Sequence, residues 1–257
     1  MSASELRASA RTALKGNWVK GALIVLVYLL IMWGISFVLG LIPFVGQIAS
    51  IVISVPISYG LAVSFIRLKR GEGISYVSFL QDGFASFGKV WGVYGHTILK
   101  MIVPIILIII SSFVFSFSIA GTITSGVFTE NSSATVGFSG LSIIALICYI
   151  ASLVYAIVKG YLYSLTNYIL YDNPNMTSKE IVLQSESLMR GNRGKYVLLS
   201  LSFIGWAILS VFTFYIGLLW LVPYISVATV CFYETLSGKG SKEEIVVEPK
   251  NDNPISE

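Results

Sequence analysis

Four stretches of the chain carry no charged residue: 21–66, 101–129, 131–158 and 196–233. An apolar run of about 20 residues crosses a bilayer as a helix. The pattern predicts six spans, at about 22–42, 47–66, 100–121, 141–163, 196–215 and 217–236. Pro43 and Gly46 divide the first block into two helices, and a tight turn near Tyr215–Gly217 divides the last. The run from Ala22 to Leu41 is longer than the core of a secretory signal and reads as an uncleaved first span.

The segments before spans one, three and five are polar but periodic. Ser2 and Glu5 fit a capping box, after which Leu6, Ala10, Ala13 and Leu14 form an apolar stripe. Arg7, Arg11 and Lys15 form a basic stripe on the same helix, which suits the headgroup layer and makes these three the predicted headgroup contacts. Tyr76, Phe79, Leu80, Gly83, Phe84 and Phe87 follow a helical period before span three. That aromatic stripe fits either the membrane interface or the ends of the bundle. Thr177 and Glu180 fit a second capping box, with Ile181, Ser185 and Leu188 on one face and Gly191 as the stop. The expected fold is therefore an all-α integral membrane domain over 1–237. It has six transmembrane helices in three hairpins, with short cytoplasmic amphipathic helices before spans 1, 3 and 5. The tail, 238–257, is polar and charged and reads as disordered.

Composition sharpens this picture. Only 12% of the 257 residues are charged, against about 25% in soluble domains. This excludes a soluble enzyme, a disordered chain and a nucleic-acid-binding module. All seventeen Lys and Arg fall on one side of the predicted topology, which assigns both termini to the cytoplasm. The other side holds the Ser-, Thr- and Gly-rich loop from Thr122 to Gly140. The net charge of +4 sits beside hydrophobic blocks, so anionic lipid headgroups at the cytoplasmic face are the expected partners, with a membrane protein as a further possibility.

An internal repeat is visible. Leu14-Lys15-Gly16-Asn17-Trp18-Val19-Lys20 precedes span one, and Met189-Arg190-Gly191-Asn192-Arg193-Gly194-Lys195 precedes span five. Gly88-Lys89 is a weaker echo before span three. The return helices carry Pro56 and Pro223, each eleven residues before the first charge, Arg67 and Glu234. That is roughly 16 Å of helix, near the middle of a bilayer. Each proline frees a carbonyl, at Val52 and Leu219. Paired broken helices point to a midplane binding site built from Pro56, Ser58, Pro223, Tyr224 and Ser226. The alternative is that the prolines serve only as kinks.

Catalytic chemistry is sparse. Lys159 and Glu234 lie at similar inner depths and form a candidate ion pair. His96 has no nucleophile or metal ligand at useful spacing, and Cys148 and Cys231 read as small buried hydrophobes. No catalytic residue, metal site or cofactor is expected, and no phosphate-binding or zinc motif is present in the sequence.

Gly16-Asn17-Trp18 after a basic helix resembles the start of the bacterial integral membrane family known as domain of unknown function 975. The likeness continues through Ser187-Leu188-Met189-Arg190-Gly191-Asn192 and Leu201-Ser202-Phe203-Ile204-Gly205-Trp206. It extends to Gly217-Leu218-Leu219-Trp220, Pro223-Tyr224 and Phe232-Tyr233-Glu234. Tyr215 departs from the small residue expected at the outer turn. The resemblance implies a bacterial plasma-membrane protein and no particular activity. A looser similarity to the membrane domains of some glycerophosphodiester phosphodiesterases tilts the reading toward lipid. The expected function is a non-enzymatic, lipid- or partner-engaging protein of envelope homeostasis. The alternative is a transporter or exporter of a neutral, lipid-like or apolar solute through the midplane site.

Overall fold

The computed structural model describes residues 1–128 and 132–239. Residues 129–131 of the predicted Thr122–Gly140 loop, and nearly all of the tail expected to be disordered, lie outside the described residues. The described chain is helical, without strands. It begins with α1 (Ala3–Ala13), α2 (Trp18–Gly40), α3 (Val45–Lys69), α4 (Ser78–Ala85), α5 (Phe87–Ile123) and α6 (Ser132–Gly160). It continues with α7 (Thr166–Asp172), α8 (Ser178–Met189), α9 (Arg193–Leu201), α10 (Ile204–Phe212) and α11 (Leu218–Ser237). Six helical segments are long and apolar enough to cross a membrane: Trp18–Gly40, Val45–Lys69, Phe87–Val127, Ser133–Asp172, Arg193–Phe212 and Leu218–Ser237.

Local chemistry accounts for most of the helix ends. In α1, Ser2 Oγ accepts from the Glu5 amide at 3.3 Å, and the Glu5 carboxylate accepts from the Ser2 amide at 2.9 Å. Thr177 and Glu180 repeat this reciprocal cap on α8, at 3.3 and 2.8 Å. The sequence repeat is a conformational one. Gly16 and Gly191 sit at φ +82° and +81°, left-handed positions that glycine adopts without penalty. The asparagine that follows each starts the next helix. Gly88 does not share this geometry, because it lies inside α5, so the echo before span three is one of sequence only.

The predicted loop from Thr122 to Gly140 is largely helical. A π-helical turn, Thr124–Phe128, extends α5, and α6 already starts at Ser132. Hydroxyl groups were read there as loop-formers. Instead Thr122, Thr124, Ser125 and Ser139 donate to the carbonyls four residues back, so they hydrogen-bond within the helix rather than interrupt it. The 37 residues of α5 span about 55 Å, well beyond a hydrocarbon core of roughly 30 Å. Two further breaks were not foreseen. A 3₁₀ turn, Tyr161–Tyr163, separates α6 from α7, and Ser202–Phe203 separates α9 from α10.

The core lies toward one end of the bundle. α11 is its centre: 56% of its apolar window is buried, against 11% for the span built on α5. Leu6, Ala10 and Leu14 are fully buried in the same core as Val227, Ala228 and Val230, so the apolar stripe of α1 faces protein. α4 docks backbone to backbone on α3. Gly60 meets the Phe79 carbonyl and Gly83 the Pro56 carbonyl so closely that a methyl group at either glycine would collide. Phe79 is completely buried by this contact, whereas Tyr76, Phe84 and Phe87 remain exposed. α5 and α6 pack along each other through small buried residues spaced by seven, Ser111, Ser118 and Ser125 against Ala145 and Ser152. That spacing keeps one narrow seam facing a partner helix and lets the two backbones approach.

The outer turn before α11 carries strain. Phe214 and Tyr215 adopt φ +49° and +65°, where glycine is favoured. Replacing Tyr215 by Gly is expected to stabilise the protein by about 1 kcal/mol. Gly191→Ala, which meets open space and so tests conformation alone, is expected to destabilise it by about 1 kcal/mol. Thermal unfolding of the purified protein in detergent checks both. Equal midpoints for the two variants and the native chain would contradict this reading of the turns.

Candidate functional site

A groove of ≈ 520 Å³ opens between α1, the start of α2, α10 and α11. Arg7 and Arg11 from α1 stand at one side of it. Trp18, Trp206, Trp220 and Tyr224 supply most of its apolar wall, and Ser210, Thr213 and Gly217 complete it toward the outer turn. The wall is held by ring packing. Trp18 meets Tyr224 edge-on at 5.8 Å, and Phe203 meets the other side of Tyr224 at 4.9 Å. The Tyr224 hydroxyl donates to the Arg7 carbonyl at 3.3 Å, which fixes α1 against α11. Arg7 Nε is buried with no hydrogen-bond partner, and neither Arg7 nor Arg11 has a carboxylate partner among the described residues. Buried donors are normally satisfied. This groove thus pairs an unspent guanidinium donor with a wide aromatic surface.

At the same end of the bundle the chain gathers its buried charges. The Glu234 carboxylate on α11 takes Lys69 Nζ at 2.5 Å and Arg70 Nε at 3.1 Å. Asp172, at the end of α7, takes Arg70 at 2.8 Å, Lys239 at 2.8 Å and the Tyr233 hydroxyl at 2.8 Å. Burial disfavours the Arg70 cation, but its hydrogen bonds to Asp172 and Glu234 outweigh this and hold its pKa above the ordinary arginine value. Alongside, Arg67 bonds Asp82 at 3.0 Å. Burial still leaves the Asp82 carboxyl above its ordinary range, with Arg67 opposing the shift. The cluster ties the ends of α3, α7 and α11 into one plane, which we term the charged end. Its pairing of charges in a partly buried setting fits a structural junction.

The residues singled out from sequence are brought together only in part. Lys159 and Glu234 do not pair. Lys159 lies 5.9 Å from the centre of the Tyr155 ring, and Glu234 pairs with Lys69 and Arg70 instead. They occupy different helices, α6 and α11. Pro223 packs against Gly21, which also touches Leu68. Those two residues neighbour Lys20 and Lys69, so Pro223 lies by the charged ends of α2 and α3, not halfway along them. The count to Glu234 misled because α11 runs on past these ends into the cap of α1 and α7. Pro56 does lie midway along α3, with α4 behind it. The Val52 carbonyl it frees accepts from Trp91 Nε1 at 3.3 Å. Ser58 bonds to Val55 in its own helix and Ser226 is half-buried; of the five midplane candidates only Tyr224 lines the groove. Arg7 and Arg11 line it too, while Lys15 is exposed in the turn after α1. Cys231 is buried as expected, but Cys148 is exposed on α6.

Sequence reading missed Trp206, Trp220, Lys69, Arg70 and Asp172 as functional or structural partners. The signal for the tryptophans was present: Trp206 and Trp220 lie on either side of the same predicted turn near Tyr215–Gly217.

Six apolar helices, three of them tied together at one end by the charged cluster, define this class as a multi-pass, all-helical membrane protein. The family model described as "Protein of unknown function (DUF975)" matches residues 1–240. The chain belongs to that family. No curated protein and no solved structure matches it.

Glu234→Gln leaves Lys69 and Arg70 undercompensated and is expected to cost about 3 kcal/mol of stability. Lys159→Gln, outside the cluster, is expected to change stability by less than about 0.5 kcal/mol. Thermal unfolding in detergent reads both. A Lys159 effect as large as that of Glu234 would restore the pairing inferred from sequence.

Proposed function

We propose that this protein is a non-enzymatic membrane protein that engages anionic phospholipid from the bacterial plasma membrane, in the service of envelope homeostasis. The charged end faces the cytoplasm in this reading, with both termini there, because cytoplasmic segments collect Lys and Arg. The observation that carries the proposal is the α1–α10–α11 groove. Its arginines are free to meet a phosphate, and its tryptophans suit the boundary between headgroups and acyl chains. Arginine matches a phosphate with paired, charge-assisted donors, and the Trp206 and Trp220 faces offer apolar contact to a chain. The transport alternative draws on paired midplane prolines; the packing of Pro223 against Gly21, near the start of α2, favours the lipid reading over it.

Phosphatidylglycerol retained by the detergent-purified protein measures the groove directly. Arg7→Gln combined with Arg11→Gln is expected to weaken retention about 30-fold, since each basic side chain beside an anionic bilayer surface contributes about 1 kcal/mol. Unchanged retention by a folded double variant would refute the assignment.

A further inference from the structure

A second pocket, of ≈ 280 Å³, lies between α5 and α8, away from the groove. His96 and Lys100 approach it from α5 and Lys179 from α8, over a floor of Leu99, Val182 and Leu183. These residues converge because the two helices run side by side, with Gly92 against Ser178 and Lys100 within 3.8 Å of Glu186. His96 Nδ1 lies 2.9 Å from the Gly92 carbonyl, which assigns the ring proton to Nδ1 and leaves Nε2 unengaged. Two acids stand near. Glu180 is turned back to cap the Thr177 amide, and Glu186 is shared between Lys100 and Arg190, the latter at 2.9 Å. Lys179 has no carboxylate partner among the described residues. The pocket therefore carries net positive character beside an apolar floor.

Its position along α5 decides the kind of ligand. Lys100 is the last charge before the charge-free run 101–129, and Leu99, Ile102 and Val103 are exposed on the same stretch of helix. A phosphate held by Lys100 and Lys179 would leave its acyl chains lying on this apolar surface. The geometry points to a second lipid site: the α5–α8 pocket binds the phosphate of an anionic phospholipid from the same leaflet as the groove. This goes beyond the proposed function, because the two sites share no residue.

Native mass spectrometry of the full chain, titrated with phosphatidylglycerol, phosphatidylcholine or inorganic phosphate, separates the possibilities. The native protein is expected to retain two phosphatidylglycerol molecules. The Lys100→Gln, Lys179→Gln variant is expected to retain one, with affinity for the second reduced about 30-fold. The Arg7→Gln, Arg11→Gln variant is expected to keep the α5–α8 lipid, so failure of the groove and failure of this site are read independently. Leu183→Trp fills the pocket without altering charge and is expected to lose the same lipid, which preserves the test if the lysine variant does not fold. The proposal is overturned if the lysine or Leu183 variant retains two molecules. Equal retention of phosphatidylcholine, or displacement of the lipid by inorganic phosphate, overturns it as well.

Discussion

The buried ion pairs around Asp172 and Glu234 are the constraint on which this structure depends. They join the ends of three helices that are far apart in sequence, α3, α7 and α11. A carboxylate removed from water is costly unless matched, and here Lys69, Arg70 and Lys239 match both acids. Once the helix ends are held, α11 becomes the centre of the bundle and α1 can pack along it. The groove is a consequence of that packing. Arg7 and Arg11 reach the tryptophans of α10 and α11 because the Leu6, Ala10 and Leu14 stripe is used up against the core.

Much of this was legible in the residues because the forces are local. Charge-free blocks mark helices that water would not tolerate in isolation, and all six appear. Both capping boxes form with the partners that their spacing implies, and Gly16 and Gly191 share the conformation that their shared motif suggests. Apart from the largely helical Thr122–Gly140 segment and the two helix breaks, the misses are matters of tertiary placement. Sequence separation along α11 was converted into depth, and Pro223 was set halfway along the bundle, whereas it packs beside Gly21 and Leu68 near the ends of α2 and α3. Glu234 chose partners from α3, where the sequence offers no periodic signal for the contact. The seven-residue spacing of Ser111, Ser118 and Ser125 was readable, and it records the seam of α5 with α6.

The two basic pockets follow from the same segregation of charge. Each lies where a basic segment gives way to an apolar helix, at Trp18–Lys20 for the groove and at Lys100 for the α5–α8 pocket. The remaining exposed surface along α5, α6 and α10 is apolar and broad, as expected of helices able to cross a membrane. Helices α1 and α8 thus have two roles. Their apolar stripes seal the core, and their basic residues define the rim where headgroups would meet the protein.

The account rests on one end of the bundle carrying the charge and facing one side of the membrane. Labelling of single cysteines by a membrane-impermeant thiol reagent tests this most directly, in a background lacking Cys148 and Cys231. Ser187→Cys reports the charged end on α8, and Phe44→Cys reports the opposite turn, between α2 and α3, where the side chain is 82% exposed. The account predicts that Phe44→Cys is labelled in intact cells and Ser187→Cys only in inverted vesicles. Labelling of both positions from the same side, or in the reverse order, would contradict it.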